Sequence, residues 1–319
     1  MTNHGYVSSP AYERLGGWGV KEIVAELHAA RERWRAAQQR SLEFAVREFP
    51  SRDALREIAS ALCGVLFPMR LGPPELHQEG EDYYVGHTLD TALNALFHQV
   101  QLELGYNLRR DGGSGSVEER AAAVVKAFAA ELPLLRGLLD TDVQAAYAGD
   151  PAARSVDEVL LCYPGILAVI HHRLAHALYE LGVPLVARII AEIAHSATGI
   201  DIHPGATIGA GFFIDHGTGV VIGETAVIGQ RVRLYQAVTL GAKRFDQDEN
   251  GGLRKGAPRH PIVEDDVVIY AGATILGRIT IGRGSTIGGN VWLTRSVPPS
   301  SHITQANSNQ EFVHDGGQI

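Results

Sequence analysis

Asp201, His203, Asp215 and His216 stand together in the stretch GIDIHPGATIGAGFFIDHGTGVVIGETAVIG, residues 199–229. An imidazole, with its unperturbed pKa of about 6.5, can act as a base at neutral pH. A carboxylate beside it fixes the tautomer and stabilises the cation formed when the other ring nitrogen takes a proton. Taken singly, each of the four reads as a surface or hydrogen-bonded structural residue. Spacing singles out Asp201 and His216, which are fifteen positions apart and so three short of an eighteen-residue turn. Successive turns of a coiled segment can bring that pair together, whereas His203 reads as structural. Further on, APRHP supplies Arg259 and His260. An Arg there offers a two-pronged grip on a carboxylate or phosphate, or is simply a solvated charge at the foot of a loop.

The elements that must position these groups follow from periodicity. After Gly199, aliphatic residues recur every six positions at Ile202, Ile208, Ile214, Val220, Ala226, Val232 and Val238. A second register, Ile222, Ile228, Leu234 and Leu240, runs beside the first, and the step resumes at Val263, Ile269, Ile275, Ile281 and Ile287. No α-helix has that period, and a lone strand alternates by two. Hexapeptide repeats signal a parallel β-helix in which three short strands make one coil and inward aliphatics stack from coil to coil. The pattern breaks between Ala242 and Arg259 with a polar insert that reads as an extruded loop.

Before Gly199 the period is helical. VKEIVAELHAARERWRAAQQRSLEFAVREF carries an amphipathic stripe closed by Pro50. Ser51 is placed to cap a second helix, a third runs through HTLDTALNALFHQVQLELGYNL, and Ser116 with Glu119 has capping-box spacing for a fourth. Two more are expected in 155–181 and 184–197, separated by Gly182 and Pro184. In HHRLAH, His172 and His176 share a helix face, but without the acid of a zincin pattern the cluster reads as a polar face rather than a metal site. The fold class is therefore α+β: a helical domain over 1–198, a β-helix over 199–296 and a tail over 297–319.

Composition narrows the function. The chain has 319 residues, 45% hydrophobic and 20% charged, and a formal charge of −8. That charge disfavours a nucleic-acid partner. Two cysteines, Cys63 and Cys162, argue for a reducing compartment. The amino-terminal residues lack a basic-then-apolar leader, and no apolar run approaches the ~20 residues of a membrane span. The expectation is a cytoplasmic protein with no membrane partner.

The series DIHPGATIGAGFFIDHGTGVVIGETAVIG, VTLGA and RHP, with DVQAAYAGDPAARS and HHRLAHALYELG upstream, resembles the serine acetyltransferases over roughly residues 140–295. The resemblance implies a left-handed β-helix and transfer of the acetyl group of acetyl-CoA to L-serine, giving O-acetyl-L-serine and CoA. It implies that His216 is the general base, oriented by Asp201, and that Asp150 and Asp215 hold the serine. It implies that Arg259 and His260 engage the serine carboxylate, and that backbone groups around Gly241, Ala242, Ala271 and Gly272 line the acetyl-CoA site. Acetyl-CoA would be a co-substrate, with no permanently bound cofactor and no metal. The family further implies a homotrimer or a dimer of trimers. A terminal isoleucine, here Ile319 after GGQ, would insert into O-acetylserine sulfhydrylase. A departure falls at Tyr270, where IYAGA places a bulky ring near the expected CoA edge.

Overall fold

The computed structural model describes residues 18–38, 49–111, 114–244 and 256–305. Ile319 and most of the 242–259 insert lie outside those residues. The chain forms two units, Met1–Glu48 and Phe49–Ile319. Within the first, the amphipathic stripe folds as helix α1 (Val20–Ala37), none of whose residues is buried.

The second unit opens with helices. They are α2 (Arg52–Leu66), the short α3 (Pro68–Leu71), α4 (Glu81–Asp111), α5 (Val117–Gly149), α6 (Val156–Cys162), α7 (Pro164–Glu180) and α8 (Pro184–Thr198). The caps fall where the side chains predict: Ser51 Oγ accepts from the amide of Ala54, and Ser116 Oγ from that of Glu119. The helix expected over 155–181 is two. Pro164 cannot donate a backbone N–H and sits at the first turn of α7, so α6 ends at Cys162. The HHRLAH segment is also not a polar face, because His171, His172 and Arg173 are all buried. Arg173 is tolerated there because it pairs with the buried Asp142 of α5 at 2.6 Å and caps the carbonyls of Ile208 and Gly209. That pair, with Asp142 accepting from the amide of Phe212 at 2.8 Å, ties two helices to the first coil.

From Asp201 onward, fourteen short strands among the described residues wind into a left-handed parallel β-helix with three faces. Face A stacks β1 (Asp201–Ile202), β4 (Val221–Ile222), β7 (Thr239–Gly241), β10 (Thr274–Leu276) and β13 (Trp292–Leu293). Face B stacks β2 (Thr207–Ile208), β5 (Val227–Ile228), β8 (Ile262–Val263) and β11 (Thr280–Ile281). Face C stacks β3 (Phe213–Ile214), β6 (Arg233–Leu234), β9 (Val268–Ile269), β12 (Thr286–Ile287) and β14 (His302–Ile303). Pairing of β14 with β12 carries the coil beyond residue 296, into the stretch assigned from sequence to the tail. Helix α8 packs on β1, and α5 and α7 pack on β3, so the helices cover the open first coil and share its core. No helix among the described residues is long and apolar enough to cross a membrane.

Strand register corrects one reading of the repeat. Val221 pairs with Thr239, eighteen positions on, but Asp201 pairs with Val221, twenty positions on. The first coil holds two extra residues between Ile214 and Val220. Ile202, Ile208 and Ile214 therefore continue into Ile222, Ile228, Leu234 and Leu240 as one inward stack. Val220, Ala226, Val232 and Val238 are the buried corner positions instead. The six-residue step alone cannot reveal this, because an insertion of two moves the count from one inward position to the other. The displaced residues include Asp215 and His216.

Candidate active site

The insertion makes a protruding corner between faces C and A. His216 has φ 60°, Gly217 φ 90° and Gly219 φ 81°. Left-handed backbone costs a non-glycine residue on the order of 1 kcal/mol, so His216 is held there by its surroundings. Gly217 is required: a Cβ would lie 2.4 Å from Ile200 Cδ1. The outcome is an imidazole whose side chain is 72% exposed, with Nε2 3.9 Å from Asp215 Oδ1.

Asp150 joins this corner from the end of α5, where it caps the helix. Its carboxylate accepts from the amide of Ala152 at 2.8 Å and from the Tyr163 hydroxyl at 2.5 Å. The Tyr163 bond holds the Asp150 carboxyl below its ordinary range, helped by the Ala152 amide and by the charges of Arg233 and His216. The same bond pushes the Tyr163 phenol up to about 12. Arg233 completes the cluster, donating to Asp215 Oδ2 at 2.5 Å and to the Gly149 carbonyl at 2.6 Å.

A second group forms at the corner between faces A and B. Left-handed residues stack at the other two corners, as Gly199, Gly219, Ala237, Gly272 and Asn290 do at one. At this corner the chain carries Glu224–Thr225 on one coil and Arg259–His260 on the next. Arg259 donates to Glu224 at 2.6 Å, and Tyr179 of α7 donates to the other Glu224 oxygen at 3.1 Å. Burial pushes the Glu224 carboxyl up, but the bonds from Arg259 and Tyr179 outweigh it and hold it below its usual range. Thr225 Oγ1 accepts from the Arg259 amide at 2.9 Å and lies 2.9 Å from His260 Nδ1. The His260 ring fits because Gly223 has no side chain; a Cβ would meet it at 2.1 Å. Burial, then the charge of Arg259, lowers His260 to about 4, so its ring is neutral at physiological pH.

Asp150, Asp215 and His216 thus converge on one corner, and Arg259 and His260 on another. The positions expected to line an acetyl-CoA site divide the same way: Ala271 and Gly272 turn between faces C and A, while Gly241 ends β7 and Ala242 follows it toward the A–B corner. The Asp201 carboxylate lies with Glu192 and His195 of α8, their nitrogen and oxygen ligand atoms all within 4.8 Å of one another. Tyr270, 42% exposed, stacks on Tyr235 with centroids 4.9 Å apart. His203 is structural in form, its Nδ1 accepting from the Gly205 amide at 3.0 Å.

Periodicity did not single out Arg233, Tyr163, Glu224 or Tyr179. Arg233 occupies an outward strand position where any polar residue fits, and Tyr163 precedes the break at Pro164. The signal for Glu224 was available: it shares a corner with Arg259, but only once the insert is recognised as lying between consecutive coils.

A left-handed parallel β-helix with an exposed histidine beside two acids at a corner defines a hexapeptide-repeat acyltransferase. The model of the bacterial transferase hexapeptide (six repeats) matches residues 260–295. The chain is 56% identical over 306 residues to a plasmid-encoded serine acetyltransferase of Synechococcus elongatus, covering 95% of each. It is 52% identical over 162 residues to the Mycobacterium tuberculosis serine acetyltransferase, covering 51% of this chain and 67% of the other. Among solved structures, serine acetyltransferase 1 of Entamoeba histolytica in complex with L-cysteine aligns with TM-score 0.69 and 40% identity over 78% of this chain and 86% of that one. The chain belongs to the serine acetyltransferase family.

Proposed function

We propose that this protein transfers the acetyl group of acetyl-CoA to the hydroxyl of L-serine, with His216 as the base. The observation that carries the reading is the convergence of Asp150, Asp215 and the exposed His216 on one corner, although Asp150 comes from a helix and the other two from the coil. His216 takes the proton of the serine hydroxyl as its oxygen attacks the thioester carbonyl. The tetrahedral intermediate then collapses, the C–S bond breaks, and the imidazolium returns the proton to the departing CoA thiolate. Positioned base catalysis of this kind contributes about 10²–10⁴-fold. Neither cysteine lies in the matched motifs, which favours direct transfer in a ternary complex over an acyl-enzyme.

Serine is a zwitterion and needs both signs of charge. Asp150 and Asp215 suit its ammonium, and Arg259 with a neutral His260 suits its carboxylate. These two sets occupy different corners of one chain, so the site is completed when the C–A corner of one copy meets the A–B corner of another. That arrangement supports a homotrimer, with Gly241 and Ala242 of one copy and Ala271 and Gly272 of the next along the acetyl-CoA edge. Asp201 is assigned as the orienting carboxylate of the base. Ile319 is assigned to an interaction with O-acetylserine sulfhydrylase, and retention of that enzyme by full-length protein but not by a chain lacking Ile319 tests it.

The acceptor is tested by a side-by-side panel of L-serine, other amino acids and amino sugars, with CoA release as readout. L-Serine should be the best acceptor, and an amino sugar outcompeting it would contradict the reading. Asp201→Asn should lower kcat with little change in the serine KM, whereas Asp215→Asn should mainly raise that KM. Equal effects on both parameters would remove Asp201 from the base.

A further inference from the structure

We propose that Arg233 is a positioning residue of the acceptor site, a strut that fixes both acids assigned to the serine ammonium. The proposal rests on that assignment and goes beyond it. Arg233 lies on β6, one coil above Phe213, and its guanidinium makes two charge-assisted bonds at once. One prong donates to Asp215 Oδ2 at 2.5 Å on the coil, the other to the Gly149 carbonyl at 2.6 Å at the end of α5. Gly149 immediately precedes Asp150, so one planar group sets the separation of the two carboxylates, which come from different elements. The packing fixes that group in turn. Its carbon lies 4.9 Å from the Phe213 ring centroid and 4.6 Å from that of Tyr235. Gly149 is pressed so close to Phe213 that a Cβ would lie 3.0 Å from the ring.

Charge gives the strut a second effect. Two carboxylates facing one ammonium would leave an excess negative charge in the pocket and repel each other. Arg233 cancels one of them, so Asp150, Asp215 and Arg233 together carry a single negative charge matched to a single ammonium. A guanidinium suits this task and an ammonium does not, because only a planar fork reaches two acceptors in fixed directions while lying against aromatic faces.

The test compares Arg233→Met, Arg233→Lys, Asp215→Asn and the double variant Arg233→Met/Asp215→Asn in the full-length enzyme. Arg233→Met should raise the serine KM about tenfold to a hundredfold, the loss expected for a charged hydrogen-bonding group. The acetyl-CoA KM should stay within about twofold, because the bonds of Arg233 run to Asp215 and Gly149 rather than to the positions assigned to that ligand. Arg233→Lys should restore only part of the loss. The loss in the double variant should be smaller than the two single losses combined, since the Asp215 arm of the strut then has nothing left to act on. Additive effects in the double variant, or equal rises in both KM values, would overturn the strut. If Arg233→Met does not fold, Arg233→Lys with Arg233→Lys/Asp215→Asn carries the same comparison. Should Asp215→Asn and Asp150→Asn leave the serine KM unchanged, the ammonium assignment itself fails and the proposal with it. A raised KM in those variants beside an unaffected Arg233→Met rejects the strut alone.

Discussion

Arg259 and Glu224 lie 35 positions apart in sequence and 2.6 Å apart in space, on adjacent coils of the same corner. Past the insert, the chain rejoins the coil with the Arg259 guanidinium already aimed by the Glu224 carboxylate. Tyr179 anchors that carboxylate from the helical layer. Glu224→Gln keeps the shape and removes the charge that orients Arg259. It should raise the serine KM about tenfold while leaving the acetyl-CoA KM within about twofold, as measured by initial rates. An unchanged serine KM would show that Arg259 needs no such support.

The buried pair Asp142–Arg173 should be among the least replaceable contacts of the helical layer. Both side chains are nearly inaccessible, at 0% and 5% exposure. Removing one partner leaves an uncompensated buried charge, so Asp142→Ala should lose about 3–5 kcal/mol in denaturant unfolding. A loss below about 1 kcal/mol would mean that water reaches the site.

Stability should fall as the solution is acidified from about pH 6.5 toward pH 4. His203 and His260 are both lowered to about 4, chiefly by burial and then by neighbouring cations. In that window the unfolded chain binds protons that the folded one refuses, so their contribution is complete above the unfolded pKa and is lost as pH falls through the folded value. His203→Asn keeps an acceptor for the Gly205 amide but cannot titrate. Its melting temperature should depend less steeply on pH over this range than that of the parent. Parallel curves would rule out His203 as a source of the slope.

A site shared between copies predicts complementation. His216→Ala and Arg259→Ala proteins should each be nearly inactive, yet coexpressed chains that assemble at random should regain about a quarter of the parental activity. That fraction is the chance that an intact C–A corner meets an intact A–B corner. No recovery in verified mixed oligomers would place the complete site within one chain.

Much of this architecture was legible because a six-residue aliphatic step has few physical explanations. The helical layer was legible too, since Ser51 and Ser116 cap where their spacing predicts. Three features were hidden for identifiable reasons. The two-residue insertion before Val220 keeps an aliphatic at every sixth position, so it left no gap in the pattern. Arg173 looked like surface charge because its neutralising partner, Asp142, lies on another helix. Arg233 and Tyr163 act across elements, and one-dimensional spacing carries no signal for such contacts.

The most direct test of the account is CoA release from acetyl-CoA in the presence and absence of L-serine, for the parent and for His216→Ala. The parent should release CoA only when serine is present. His216→Ala should lose about 10²–10⁴-fold in kcat while keeping its assembly and melting temperature. Near-parental turnover by His216→Ala would contradict the assignment of the base.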